Sequence, residues 1–258
     1  RQHGAALSRL FSSRVIRDLA SCGRSELATR VLEETGVAQS LSPCCSLAEC
    51  FDSLYTMLFR NYRSEYIYKN LIALRVLLGR HSLNTATMLM EFRVGNCKAD
   101  CVIINGTSNV YEIKSEFDSM ARIQRQLTAY RKVFDRVHVI TTSDQVDAMA
   151  LEVDESVGLL VLNDRQYVTT VREPLSLKAR VDPGAIFDTL RQPEYVVAIR
   201  ERFGSVPAVP NTRIYQVCRE LFMELSPTEA HDAMIQALKL RGCSMSLRRF
   251  VEAVPSSL

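Results

Sequence analysis

Two apolar runs separated by Asn105-Gly106 are followed at once by an amphipathic stretch and then a third apolar run, and this order narrows the folds open to the chain. The runs Ala99 to Asn105 and Val110 to Lys114 predict two antiparallel strands. The loop between them begins with Asn-Gly, whose residues tolerate positive φ. From Asp118 onward Met120, Ile123, Leu127, Tyr130 and Phe134 recur at steps of three and four, which predicts one apolar helical stripe with Asp118 or Ser119 as its cap. Arg136 to Thr142 then reads as a buried strand. A strand–helix–strand unit makes a parallel crossover. The expected class is α/β, with a mixed β-sheet core flanked by helices.

Side chains alternate along a strand, so Glu112 and Lys114 share one face, and Asp100, Val102 and Ile104 share one on the preceding strand. A register that sets Asp100 across from Glu112 brings two carboxylates and one ammonium together. Burying them is costly unless they have a task, and a hard divalent cation relieves the repulsion between the carboxylates. The plainer alternative is a surface hairpin with a solvated Glu–Lys pair, because Glu-x-Lys is a common tripeptide.

Asp100, Glu112-x-Lys114 and Gln126-x-x-x-Tyr130, in this order, resemble the motif of the PD-(D/E)xK nuclease superfamily, in its RecB-like branch. The resemblance covers about Tyr62 to Thr142 and extends to small bacterial nuclease-fold proteins of largely uncharacterised function. Ala99 stands where many members have proline. The resemblance implies a restriction-endonuclease-like core and a metal-dependent nuclease acting on phosphodiester bonds, with DNA as the expected substrate. It implies that Asp100, Glu112 and the Ile113 carbonyl hold Mg²⁺ or Mn²⁺, and that Lys114 assists the attacking water or the phosphate. It gives Gln126 and Tyr130 the task of aligning the site and contacting nucleic acid. Arg122 and Arg125 would bind backbone phosphates, unless they only solvate a helix face. A further acid is expected on the helix preceding the core. Glu65 opens NYRSEYIYKNLIALRVLLGR, whose Ile67, Leu71, Leu74 and Leu78 form an apolar stripe. Its alternative role is a first-turn carboxylate facing the helix dipole. Glu91, in MLMEFRV, competes with it, unless it is a solvated strand residue. The rival reading keeps the fold without the chemistry, as a module that binds nucleic acid or a partner. Among biological settings, mobile-element processing, repair and phage defence are all compatible.

Other chemistries find little support. The four histidines are scattered, and no nucleophile elbow or glycine-rich phosphate loop is present. A net charge of +3 is too small to indicate nucleic-acid binding by itself. The eight cysteines contain no C-x-x-C pair and read as reduced core residues. No apolar run approaches the roughly 20 residues of a membrane span. No secretory signal is visible, so cytoplasm is expected, although the chain opens on Arg1 and some N-terminal sequence is expected to precede it.

Around a nuclease core at 61–173, a helical arm at 1–60 and a helical subdomain at 174–258 are expected. ALSRLFSSRVIRDLASCG and SELATRVLEETG read as the first helices, and a Ser/Pro/Cys connection leads to another ending near Phe59. SDQVDAMALEV reads as a helix, and GLLVLN and QYVTTVRE as strands. Beyond Pro174 the helical stretches are AIFDTLRQPEYVVAIRERFG, TRIYQVCRELFMEL and SPTEAHDAMIQALKLRG, the last opened by a capping box. Arg241, Arg248 and Arg249 form a basic tail, read as solvated helix ends or an accessory nucleic-acid contact. The flanks could also carry a homo-oligomer or a partner-protein contact.

Overall fold

The computed structural model describes residues 3–41, 46–79 and 86–242. Cys44, Cys45, His81, Cys243, Arg248 and Arg249 lie outside the described residues.

The first apolar pattern does not run as one helix. Gly4–Ser8 (α1) passes through a 3-10 turn and meets Ser12, whose extended backbone and hydroxyl cap a new helix, Ser13–Cys22 (α2). The cap hydrogen bond from Val15 N–H competes with helix continuation. Glu26–Thr35 (α3) starts at Ser25 and stops at Gly36, which takes φ +67°. Leu47–Asn61 (α4) opens on a Ser46/Glu49 capping box.

Glu65–Leu71 (α5) continues into a π-helical segment, Ile72–Leu78. The wider turn rotates the buried face, because its backbone bonds close over five residues rather than four. The expected stripe therefore fails after Leu71. Ile72, Val76 and Leu77 are buried, while Leu74 and Leu78 are 50% and 42% exposed.

The sheet begins with Thr87–Val94 (β1), Cys97–Ile104 (β2) and Ser108–Ile113 (β3). The β2–β3 loop is shorter than expected, and within it Gly106 takes φ +70°. Ile123–Arg131 (α6) leads to Arg136–Thr142 (β4), and Val146–Glu152 (α7) leads to Gly158–Leu162 (β5) and Val168–Arg172 (β6). The first turn before α6 is a 3-10 helix, Met120–Arg122, capped by Ser119, and Phe134 lies past the end of α6. The strands lie in sequence order. β3, β4 and β5 are parallel, and the other neighbours are antiparallel. The protein is thus α/β, with a six-stranded mixed sheet flanked by helices.

The last stretch splits into Pro183–Phe187 (α8), Gln192–Phe203 (α9), Asn211–Phe222 (α10) and Pro227–Gly242 (α11). AIFDTLRQPEYVVAIRERFG is broken between α8 and α9, where Pro193 lies in the new first turn and Glu194 caps the Arg191 N–H. The Ser226/Glu229 capping box forms as read.

The two helical flanks cover opposite faces of the sheet. Val102, Ile104, Val110 and Val139 pack with α6 and with Phe187, Phe222 and Met234 of the C-terminal helices. Cys101, Ile103, Tyr111 and Ile140 pack with Leu10, Leu54, Leu58 and Tyr68 of the N-terminal ones. Asp135 ties the chain after Pro174 to the sheet, accepting from Ser176 Oγ, Leu177 N–H and Lys178 N–H. The cysteine reading needs one correction. Cys97, Cys101 and Cys218 are buried, but Cys22 is exposed and Cys50 only half-buried; none of the five is in a disulfide among the described residues. Among the described residues no helix is long and apolar enough to cross a membrane.

Arg241 is a packing residue rather than a free basic tail. It pairs with Glu194, each side chain only 13% and 12% exposed, and sits 5.2 Å from the Phe92 ring centroid. Arg241→Ala strands the Glu194 carboxylate and uncovers Phe92, so denaturant unfolding should show a loss of about 2–3 kcal/mol.

Candidate functional site

The β2–β3 register pairs Cys101 with Tyr111, and one step further along it sets Asp100 across from Glu112. Asp100 Oδ2 accepts the Ile113 N–H at 2.7 Å, and Lys114 N–H donates to Ile140 O at 2.9 Å. The hairpin and the first parallel pairing together fix the backbone from Asp100 to Lys114.

On the outer side, β1 pairs with β2 as Met90–Cys101 and Phe92–Ala99, which leaves Glu91 opposite Asp100. Both strands change phase at that pair. Leu89 and Phe92 pack into the same core, as do Ala99 and Val102, so alternation slips by one on each strand while the register continues. Glu91 carries the distortion at φ +54°. A side chain bearing a Cβ costs of order 1–2 kcal/mol in that region, and such positions cluster at functional sites. The distortion turns Glu91 toward Glu65, the first residue of α5. Carboxylate oxygens of Glu65, Glu91 and Asp100 lie within 4.8 Å of one another.

These acids form one wall of a cleft of about 310 Å³. Its remaining lining includes Asn96, Lys98, Glu112, Ile113, Lys114, Asp118, Arg122, Arg125 and Gln126. Nearly all residues expected at the site from the sequence therefore meet in one place. Arg122 and Arg125 are exposed on its rim.

Tyr130 departs from expectation. It is fully buried beneath the cleft, and its hydroxyl lies 2.8 Å from Glu112 Oε2 and 3.0 Å from the Lys98 carbonyl. It orients Glu112 and is too deep to contact nucleic acid. Glu112, 2% exposed, also accepts from Lys114 Nζ at 3.0 Å and from Gln126 Nε2. Gln126 Oε1 accepts in turn from Lys114 Nζ at 3.0 Å. The Gln126–Tyr130 spacing thus places two donors on one helix face against a single carboxylate. In this conformation Glu112 faces Lys114, and Glu91 takes the third place in the acid cluster.

The electrostatics separate the acids. Burial, with the Glu112 charge adding to it, pushes Asp100 up to about 7. Burial also raises Glu112, against the opposing pull of Lys114, Tyr130 and Gln126. Burial works to raise Glu91 too, but Lys69 and Lys98 outweigh it and hold that carboxyl below its usual range. Lys69, one helical turn after Glu65, bridges Glu65 and Glu91. Neither lysine carried a signal in the sequence beyond the Glu65–Lys69 spacing of four.

The donor set fits a hard divalent cation. It offers carboxylate oxygens from separate elements, open to a cleft, with Asp100 raised by its burial and, after that, by the Glu112 charge. Glu65, Glu91 and Asp100 would hold Mg²⁺ or Mn²⁺, with Glu112 beside them.

Comparison with known proteins gives a family rather than an activity. Residues 59–254 match the family described as Bacteriophage P4 protein cII. Protein cII of Enterobacteria phage P4 is 31% identical over 101 residues, which are 38% of this chain and 38% of that protein. The structure of SPO1766, a protein of unknown function from Silicibacter pomeroyi, covers 46% of this chain and 81% of its own at 18% identity and a TM-score of 0.31. The match over residues 59–254 spans the sheet, the acidic cleft and the C-terminal helices, and the chain belongs to the phage P4 cII family.

Proposed function

We propose that this chain is a metal-dependent nuclease with a restriction-endonuclease-like core, hydrolysing phosphodiester bonds of nucleic acid, with DNA as the expected substrate. The observation that carries the reading is the convergence of Asp100, Glu112, Lys114 and Gln126 with two further acids in one cleft. A divalent cation there would neutralise phosphate charge and lower the pKa of water. The residues supply the rest. Lys114 stands at the inner end of the cleft, positioned by Glu112 and Gln126 to meet a phosphate oxygen or orient water. Tyr130 holds Glu112 from below. Arg122 and Arg125 offer two cations to the nucleic-acid backbone at the rim.

One observation favours the rival, a non-catalytic binding module: Lys69 already neutralises Glu65 and Glu91, and Lys114 already neutralises Glu112. Incubation with circular and linear DNA, and with RNA, in Mg²⁺ or Mn²⁺ separates the two. Cleavage that EDTA abolishes is the expected result. Binding without cleavage of any of these substrates supports the module instead.

A further inference from the structure

We infer that the cleft takes single-stranded nucleic acid, or an unpaired end, and that Phe117 stacks on a base of that strand; the inference rests on the nuclease reading and narrows its substrate.

The loop leaving Lys114 runs through Phe117 to Asp118, and both Lys114 and Asp118 line the cleft. Phe117 is nevertheless 48% exposed. An exposed phenylalanine is unremarkable by itself, but this one is held in place. Asp118 Oδ2 accepts from Ser115 N–H at 2.9 Å and from Ser115 Oγ at 2.6 Å. Ser115 Oγ accepts from the Phe117 N–H at 3.3 Å, and Ser115 itself is buried. The turn therefore closes on a buried anchor.

The ring is fixed as well. Phe117 stacks on Tyr62 with centroids 4.4 Å apart and planes 23° apart. Behind Tyr62 lies Gly4, where an added Cβ would fall 2.3 Å from Tyr62 Cβ and Cγ. Backbone, tyrosine and phenylalanine form a pile that gives the outer ring a firm seat. Little ordering entropy remains to be lost when a flat ligand stacks on it.

The neighbours say which flat ligand. Lys114 and the exposed Arg122 flank the loop, and both line the cleft where a phosphate would lie. An aromatic platform beside a cationic track is the combination that reads single strands, because every base has a π-face. In an intact duplex the base faces are stacked on each other and are not offered.

The test uses fluorescence anisotropy in EDTA, so that no strand is cut. Its probes are a labelled single-stranded oligonucleotide, a blunt-ended duplex of the same sequence, and the single strand with a run of abasic nucleotides. Metal-dependent cleavage is measured separately. Wild type should prefer the single strand. Phe117→Ala should lose roughly ten- to a hundredfold in affinity for it, with little change for the duplex. Phe117→Trp should retain binding, and the abasic strand should bind both proteins equally. Unchanged single-strand affinity in Phe117→Ala, or an equal loss on strand and duplex, overturns the inference. If wild type cleaves and Phe117→Ala binds normally, the inference falls and the nuclease reading stands. If the binding pattern appears in a protein that cuts nothing, the stacking site stands and the nuclease reading falls.

Discussion

Lys114→Ala should lower metal-dependent cleavage by about a hundred- to a thousandfold while leaving metal binding in place, the scale seen when one preorganised electrostatic group is removed from a site. The ammonium lies 3.0 Å from both Glu112 Oε1 and Gln126 Oε1, so its position is set by two acceptors before any substrate arrives. Alanine removes the charge and leaves Glu112, 2% exposed, with only Tyr130 and Gln126 as donors. That change also costs stability, so activity needs a second comparison. Lys114→Gln keeps a donor toward Glu112 without the charge. Cleavage that falls equally in both variants, with both folded by circular dichroism, assigns the loss to chemistry. Near-wild-type cleavage by either would remove Lys114 from the mechanism.

Asp100→Asn should raise the stability of the metal-free protein at pH 8 and abolish metal binding. The Asp100 carboxyl is raised to about 7 in the folded state, by burial and then by the Glu112 charge. The folded state therefore holds that proton more tightly than the unfolded chain, whose aspartates titrate near 4. The stabilisation from this group is fully present below about pH 4. It is lost as pH rises from about 4 to 7, and the loss is complete above that. Asparagine can still accept the Ile113 N–H and carries no charge at any pH. The expected gain at pH 8 is at least about 1 kcal/mol, or roughly 2–4 °C in Tm, and it should shrink toward pH 4. In wild type, added Mn²⁺ should recover the stability lost at pH 8, because ligand binding to the folded state stabilises it. A thermal shift identical in the two proteins across this range would show that Asp100 carries no electrostatic strain.

The parts of the site that the sequence made legible are those governed by local periodicity. Glu112 and Lys114 share a face because they are two apart on a strand, and Gln126 and Tyr130 share one because they are four apart on a helix. The Asn105-Gly106 turn placed Asp100 near Glu112. Glu91 was legible as a rival to Glu65 for the further acid, but not as joining it in one cluster. Its place depends on φ +54° and on a phase slip shared by two strands, and no residue type in MLMEFRV marks either. Lys69 reaches Glu91 across 22 residues of chain, a pairing with no local signature. The buried position of Tyr130 follows from its packing against Phe134 and the sheet, so a motif that named the residue could not say which way it was used. The π-helical segment after Leu71 was hidden for a related reason. Leu74 and Leu78 fit an α-helical stripe, and only the changed turn exposes them.

The function proposed for this cleft depends on Glu65, Glu91 and Asp100 holding a divalent cation. Titration of Mn²⁺ into wild type and Asp100→Ala by calorimetry, near pH 8, tests it most directly. Wild type should bind saturably, Asp100→Ala should lose that binding, and Lys114→Ala should keep it. No binding by wild type, or equal binding by Asp100→Ala, would contradict it.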